Sequence, residues 1–328
     1  MILIVSQHAG EHSTEEVIDW LDHKKADYFR LNGNDLIEHC NFKIDVANNE
    51  ATLSFPEREI ELSKVKAFWY RRWLSGAYHY SKYEELMDTP FNKMRFSQKL
   101  NSELLKIKEY LRSSQKEKPW LSNMEKVKVN KLDVLQKAKK YGISIPETII
   151  TNSKEEVIKF KNEHGSIIVK AISEAMMLSK NGTSYSAYTA ILTSEIIESL
   201  PDKFYASLLQ NTVDKEYELR IFYLEGDFYG MAIFSQNDNQ TSVDFRQYNH
   251  QKPNRRVPYK LPKSIEDKLT LLMKDLDLNT GSIDLIKSKS GDYVFLEINP
   301  VGQFGMTSGP CNYYLEEKVA DFLIEKSA

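Results

Sequence analysis

The stretch GSIDLIKSKSGDYVFLEIN, Gly281 to Asn299, decides how this chain is read. Two runs rich in β-branched and aromatic residues flank a polar turn, Ser288 to Gly291, which is the pattern of a β-hairpin. On its second strand Glu297 and Asn299 stand two apart, so their side chains leave the same face. With an even number of residues in the turn, Asp284 lies on that face too, opposite Phe295 and diagonal to Glu297, within about 5–8 Å. Two carboxylates and an amide oxygen there form a hard-oxygen set. Mg²⁺ takes such sets while keeping waters and substrate phosphates for its other positions. The same residues also fit the solvated outer face of a hairpin, because charged strand residues are mostly exposed. Ile283, Leu285, Val294, Leu296 and Ile298 support the hairpin without deciding which face is wet.

The chain has 328 residues, room for two or three domains and a sizeable core. Its 41% hydrophobic and 28% charged residues are those of an ordinary globular protein. A net charge of −3 gives no basic field for nucleic acid. Cys40 and Cys311 lack metal-ligand spacing and are too few for a disulfide framework. MILIVSQHAGEHS turns polar after four apolar residues, so it reads as a strand and not as a signal peptide. No apolar run approaches the roughly 20 residues of a membrane span. A reduced, cytoplasmic protein with no membrane partner is expected.

Upstream, ILIV (2–5) is a buried strand. Ser13 with Glu16 forms a capping box for a helix carrying Ile18, Trp20 and Leu21. Residues 27–31 and 64–70 read as strands, and 42–55 as a hairpin around Asn48 and Asn49. No GxGxxG follows the first strand, which argues against a dinucleotide site. Residues 81–112 read as helical, with Leu86, Phe91, Met94, Leu100, Leu104, Leu105 and Ile107 as core candidates, and 113–119 as a polar linker. A helix spans Asn130 to Lys140, Ser153 with Glu156 caps the next, and SIIVKA (166–171) is a buried strand ending at Lys170. Lys180 to Ser186 reads as a polar loop, and a further helix begins near Thr193. Beyond it lie strands at YASLLQNTV, YELRIFYLEGDFYGMAIFS and SVDFRQY, a helix near 264–276, and the opening hairpin.

Several charged residues stand out along this order. Lys170 is either a phosphate-contacting cation or a strand-end lysine reaching water. Lys131, opening the 130–140 helix, carries a weaker version of the same signal. Glu216, Glu218 and Arg220 alternate on one strand and share a face, as a surface ion-pair ladder or as the edge of a nucleotide site. Arg246 could neutralise a developing acyl phosphate. The basic KPNRR patch (252–256) reads as a solvated loop.

In order, Lys170, Gln210, Glu218-x-Arg220, Asp284 and Glu297-x-Asn299 resemble the ATP-grasp fold. More narrowly, FLEINPVGQFGM (295–306) with PCNYYLE (310–316), WYRRW (69–73) and VDFRQY (243–248) resembles the ATP-grasp peptide maturases of the graspetide (microviridin-type) group. The closest pattern is that of its grasp-with-spasm subgroup. The resemblance implies an α+β chain in three parts: an α/β pre-ATP-grasp domain over 1–119, a small central domain over 120–206, and a C-terminal ATP-grasp lobe over 207–328. By position, Lys131 and Lys170 would contact ATP phosphates. Gln210 to Asp214 would be the hinge receiving adenine, and Glu218, or Glu216 in its place, would face the ribose. Asp284, Glu297 and Asn299 would hold Mg²⁺, and Arg220 and Arg246 would stabilise the phosphate and the acyl phosphate. The loop KNGTSYS has one glycine where many ATP-grasp enzymes carry a glycine-rich lid.

The chemistry so implied turns an Asp or Glu side chain of a ribosomal precursor peptide into an acyl phosphate. A Ser, Thr or Lys side chain of the same peptide then attacks, giving a macrolactone or macrolactam. The peptide's leader would dock on the 153–164 helix and the 172–190 segment with Met176 and Met177. Cys311 would be structural, and a homodimer is expected by analogy alone. Two other readings stand beside it: a ligase with the same ATP half that joins an amino acid or amine to a separate carboxylate, and a non-catalytic nucleotide or peptide carrier. The presence of Asp284, Glu297 and Asn299 together disfavours the carrier.

Overall fold

Ile2–Ser6 is apolar at every position but the last, and it forms the fully buried strand β1. A strand buried on both faces belongs inside a parallel sheet. The computed structural model describes residues 1–73, 87–173, 177–180, 183–186, 189–236 and 253–328, with backbone alone for 177–180 and 183–186. By contacts these fall into two units, Met1–Val127 with Tyr314–Ala328, and Lys128–Tyr313. The division at 119 and 206 inferred from the sequence remains a proposal about lobes.

In the first unit β1 lies between β2 (Tyr28–Asn32) and β6 (Ala67–Tyr70), with β7 (Trp120–Leu121) beyond β6, all parallel. The hairpin read over 42–55 is β3 (Asn41–Asp45) with β4 (Glu50–Ser54). Together with β5 (Glu59–Glu61) they make a separate three-stranded sheet. Helix α1 (His12–His23) buries Val17 and Leu21. Its N-cap is Glu11 and not Ser13, because the Ser13 hydroxyl is taken by Arg71 Nη2 at 2.9 Å. Helix α2 (Asp35–Glu38) is one turn, and α3 (Pro90–Ser113) buries Leu104 and Leu111. Phe91, Met94 and Leu105 are exposed, against the expectation that they enter the core. Leu86 lies outside the described residues.

Residues 113–119 are no free linker: Phe68 N–H donates to Pro119 O at 2.9 Å, and Trp120 stacks on Phe68 at 4.3 Å. The helix Leu315–Ser327 completes this unit with Leu315, Val319, Ala320 and Leu323 buried. WYRRW is structural: Trp69 and Arg71 are buried, and Arg71 bonds the buried Glu11 carboxylate at 3.2 Å through both Nε and Nη2.

The second unit holds two sheets and a pair of strands. β8 (Thr148–Ser153), β9 (Ile167–Lys170), β12 (Ala190–Ile191) and β13 (Lys203–Asn211) form an antiparallel sheet in the order β12-β9-β13-β8. One face of it packs on the helices Lys154–His164 and Ser194–Ser199 through Val157, Phe160, Ile167, Ile197 and Leu209. Of the polar run 180–186, expected as a loop, Lys180 and Thr183–Ser186 belong instead to two paired antiparallel strands, β10 (Met177–Lys180) and β11 (Thr183–Ser186). The larger sheet runs β16-β15-β14-β17-β18, from β14 (Lys215–Leu224), β15 (Asp227–Phe234), β16 (Arg255–Tyr259), β17 (Thr280–Ser288) and β18 (Tyr293–Asn299). Leu219, Ile221, Ile283, Leu285 and Phe295 meet the helices Lys131–Lys140 and Lys263–Asp275 in one core. Alternation along each strand sends the intervening side chains to the opposite face.

Candidate active site

The face left over by that alternation is where the charged residues gather. On β9, Ile167 and Val169 point to the helices, so Ile168 and Lys170 point the other way. On β13, Leu209 is core and Gln210 is not. On the larger sheet Glu218, Arg220 and Asp284 alternate with core residues. Lys170, Gln210, Asn211, Glu218, Asp284 and Glu297, with Pro146, Ile168, Thr189, Val213 and Leu296 among others, line one cleft.

Across β14, β17 and β18 the register places Arg220 opposite Asp284 and Asp284 opposite Glu297. The diagonal relation expected from an even turn is overturned by a bulge. Leu285 pairs Phe295 and Asp284 pairs Glu297, so Leu296 is the extra residue. A regular strand would have put Phe295 and Glu297 on one face; the bulge sends Phe295 into the core and Glu297 into the cleft. Phe295 N–H donates outward to Ser144 O at 2.8 Å, which fixes the strand at this point.

The row alternates in charge in a way that compensates it. Arg220 Nη1 donates to both Asp284 oxygens, at 2.9 and 2.8 Å. Lys131 Nζ lies 3.1 Å from Glu297 Oε2. Asn299 is exposed two pairs further along, opposite Ser282, on the Glu297 side. Two carboxylates facing each other across neighbouring strands, each held by a cation, fit a hard divalent ion that shares them with substrate phosphates. These residues therefore suit Mg²⁺, with Asp284 and Glu297 as the central donors and Asn299 beside them.

Three buried polar atoms near the cleft have no hydrogen-bond partner among the described residues: Gln210 Oε1, Asn211 Oδ1 and Arg220 Nε. Gln210 Nε2 is spoken for by Thr148 Oγ1 at 3.0 Å, which aims the amide. A buried acceptor with nothing donating to it is costly, by roughly 1–3 kcal/mol, unless a ligand supplies the donor.

Glu218 behaves as expected in place but not in company. It is buried, forms a close ion pair with Lys215, and accepts from Ser235 Oγ at 2.9 Å. Burial pushes its carboxyl above the ordinary glutamate range, against the lowering by Lys215. Lys215 and Ser235 escaped the sequence reading. A register shift between Lys215 and Tyr217 breaks the alternation there, bringing Lys215 to the Glu218 face and leaving Glu216 exposed and away from the cleft. Of the two glutamates, Glu218 is the one that lines the cleft. Arg246 and VDFRQY lie outside the described residues. Cys311 is buried beside Met231 and Ile233, and burial pushes its thiol up, as a structural cysteine requires. Phe304 of the NPVGQF run packs against Phe222, ring centroids 4.9 Å apart and tilted by 51°.

The MvdD pre-ATP-grasp domain family matches residues 1–128. The fold matches that of a RiPP-associated ATP-grasp ligase of Chryseobacterium gregarium, solved with ADP and a leader and core peptide. The TM-score is 0.86 at 23% identity, over 100% of this chain and 97% of that one. The macrocyclase MdnC of Microcystis aeruginosa MRC, solved with its precursor peptide MdnA, is 27% identical with a TM-score of 0.82, over 99% of both chains. Among curated proteins, the alpha-aminoadipate–LysW ligase LysX of Sulfurisphaera tokodaii is 25% identical over 214 residues, which span 60% of this chain and 66% of that protein. Among the described residues no helix is long and apolar enough to cross a membrane. The N-terminal domain match and the full-length likeness to a peptide macrocyclase support a graspetide-type ATP-grasp maturase.

Proposed function

We propose that this protein activates Asp or Glu side chains of a ribosomal precursor peptide as acyl phosphates, using ATP, and closes them onto Ser or Thr hydroxyls or Lys amines as macrolactone or macrolactam rings. The observation that carries this reading is the row Arg220, Asp284, Glu297, Lys131, whose two carboxylates line the cleft together with Lys170, Gln210 and Glu218. In it, Gln210 Oε1 and backbone groups of the 210–214 segment would receive the adenine, Glu218 the ribose, and Lys131 and Lys170 the phosphates. Mg²⁺ on Asp284, Glu297 and Asn299 would supply charge neutralisation for the γ-phosphate. Arg220, released in part from Asp284, would face the carboxylate oxygen as it becomes the acyl phosphate. Carboxylate and ATP give acyl phosphate and ADP. The hydroxyl or amine then attacks the acyl carbon, phosphate leaves with the electron pair of the C–O bond, and the nucleophile's proton passes to solvent. No enzyme nucleophile enters, which agrees with the buried, unactivated Cys311.

The helix Lys154–His164, whose Ile158 is exposed, is the proposed leader surface, and Arg246 a second cation for the acyl phosphate. Met176 lies outside the described residues, as does the side chain of Met177. A cytoplasmic location is part of the same proposal.

Intact mass of the precursor peptide, incubated with this protein, ATP and Mg²⁺, tests the reading. Loss of one water per ring is expected, and no loss with Asp284→Asn or Glu297→Gln. The similarity to a ligase that by its name joins α-aminoadipate to LysW keeps a second reading in view, joining an amine to a separate carboxylate. An unchanged precursor, with ATP consumed when small amines or amino acids are added, would establish that one instead.

A further inference from the structure

We propose that His8, Asp35 and His39 form a binding site for a divalent transition ion of the zinc type in the N-terminal unit. Because β1 and β2 are parallel, their carboxyl ends lie at the same sheet edge, where open α/β sheets place their ligands. His8 stands two residues beyond β1, and Asp35 three beyond β2. Asp35 and His39 are spaced i, i+4, so they share one face of the α2 turn. His39 and Cys40 both donate their backbone N–H to Asp35 O, at 3.0 and 2.9 Å. That locks the two candidate ligands into a single turn.

The carboxylate is oriented before any ion arrives. Asp35 is buried, and its Oδ2 accepts the Asn32 N–H at 2.6 Å. The His8 ring lies 6.5 Å from the His39 ring, nearly perpendicular to it at 82°. One ligand atom from each of the three residues falls within 4.8 Å of the other two. Tetrahedral zinc, with bonds of about 2.0–2.1 Å, needs its ligand atoms roughly 3.3–3.5 Å apart. Both imidazoles are exposed, while the buried Asp35 carboxylate is held by the Asn32 N–H. Glu38 Oε2 stands 3.6 Å from His39 Nε2, beyond hydrogen-bond reach.

The donor chemistry separates this site from the cleft. Two imidazoles and one carboxylate select zinc-like ions, whereas carboxylates with an amide suit Mg²⁺. A fourth position stays open to water. The bland alternative is a pair of solvated histidines beside an aspartate that merely caps a turn, and it predicts no affinity above that of any exposed histidine.

The test is Zn²⁺ titration of the full chain by calorimetry in millimolar Mg²⁺, with Co²⁺ absorbance as a probe of geometry. One ion per chain is expected, not displaced by Mg²⁺, with a tetrahedral Co²⁺ spectrum and a raised melting temperature. In the double variant H8A/H39A the affinity should fall by at least about 100-fold, since partners of ligands alone are worth 10–100-fold. Its ADP binding and ion-free melting should be unchanged, because both side chains are exposed. Equal affinity in wild type and H8A/H39A would place the ion elsewhere and overturn the proposal. So would absence of uptake by the wild type.

Discussion

At the scale of single residues, the cleft's unmatched atoms are more informative than its matched ones. Gln210 is buried, its amide nitrogen is anchored on Thr148, and its Oε1 accepts nothing from the described residues. Under the proposed reading the exocyclic amine of adenine supplies the missing donor. Gln210→Ala should then raise the KM for ATP about 10-fold, the worth of one hydrogen bond near 1–1.5 kcal/mol, with kcat little changed. Steady-state kinetics with ATP checks this, and a fall in kcat at constant KM would contradict it. Lys108 poses the opposite case, a charge placed where water is excluded. It is buried on α3, donating to Trp73 O at 3.0 Å, and burial pulls its ammonium down to about 8. An unfolded lysine titrates near 10.4. Between those values the unfolded chain holds a proton that the folded chain has lost, so stability rises with pH across the window. Below about 8 the penalty is fully present, on the order of 3 kcal/mol before the hydrogen bond offsets part of it. Urea unfolding of wild type and Lys108→Met should therefore show wild type gaining on the variant from pH 8 to 10. Parallel pH profiles would rule the explanation out.

At the scale of elements, two irregularities in the larger sheet decide what the cleft contains. A one-residue slip normally sends every later side chain to the other face. The bulge at Leu296 is the exception, since its removal leaves Phe295 inward, Glu297 outward and Asp284 still opposite. Deleting Leu296 should thus keep the protein folded and able to bind ADP, whereas deleting Ile298 should turn Asn299 toward the core and abolish folding. Near-UV circular dichroism and ADP titration of the two deletions distinguish them, and equal damage from both would refute the bulge as the controlling feature. The same irregularities mark what could be read from the chain beforehand. Period-two alternation located Glu218, Arg220, Asp284 and the hairpin, because those strands are regular where the residues sit. It misplaced Glu216 and missed Lys215, because a bulge is a feature of two paired strands and leaves no mark in one of them. Phe91 and Met94 failed for a related reason: helical spacing gives a face, but only packing tells which part of a long helix is covered.

At the scale of the whole molecule, the N-terminal unit is not contiguous in sequence. The family match ends at residue 128, yet Leu315, Val319, Ala320 and Leu323, from the last helix, are buried in that unit. Lys24 ties α1 to the same helix through Glu317 and Asp321, at 3.0 and 2.8 Å. Those pairs are solvent-exposed and screened, so they add little. Apolar burial is the larger effect: at about 1.5–3 kcal/mol per large side chain, the four residues amount to roughly 5–10 kcal/mol as an upper figure. That is comparable to the whole stability of an ordinary domain. A chain truncated after Tyr314 should accordingly leave β1 and β6 marginal. Their amides are expected to exchange at least about 100-fold faster, while β14 and β17 of the other unit keep their protection. Hydrogen exchange read by mass spectrometry resolves the two sets of strands. Loss of protection in both units at once would mean that they unfold together, and that the C-terminal helix stabilises the molecule as one cooperative body.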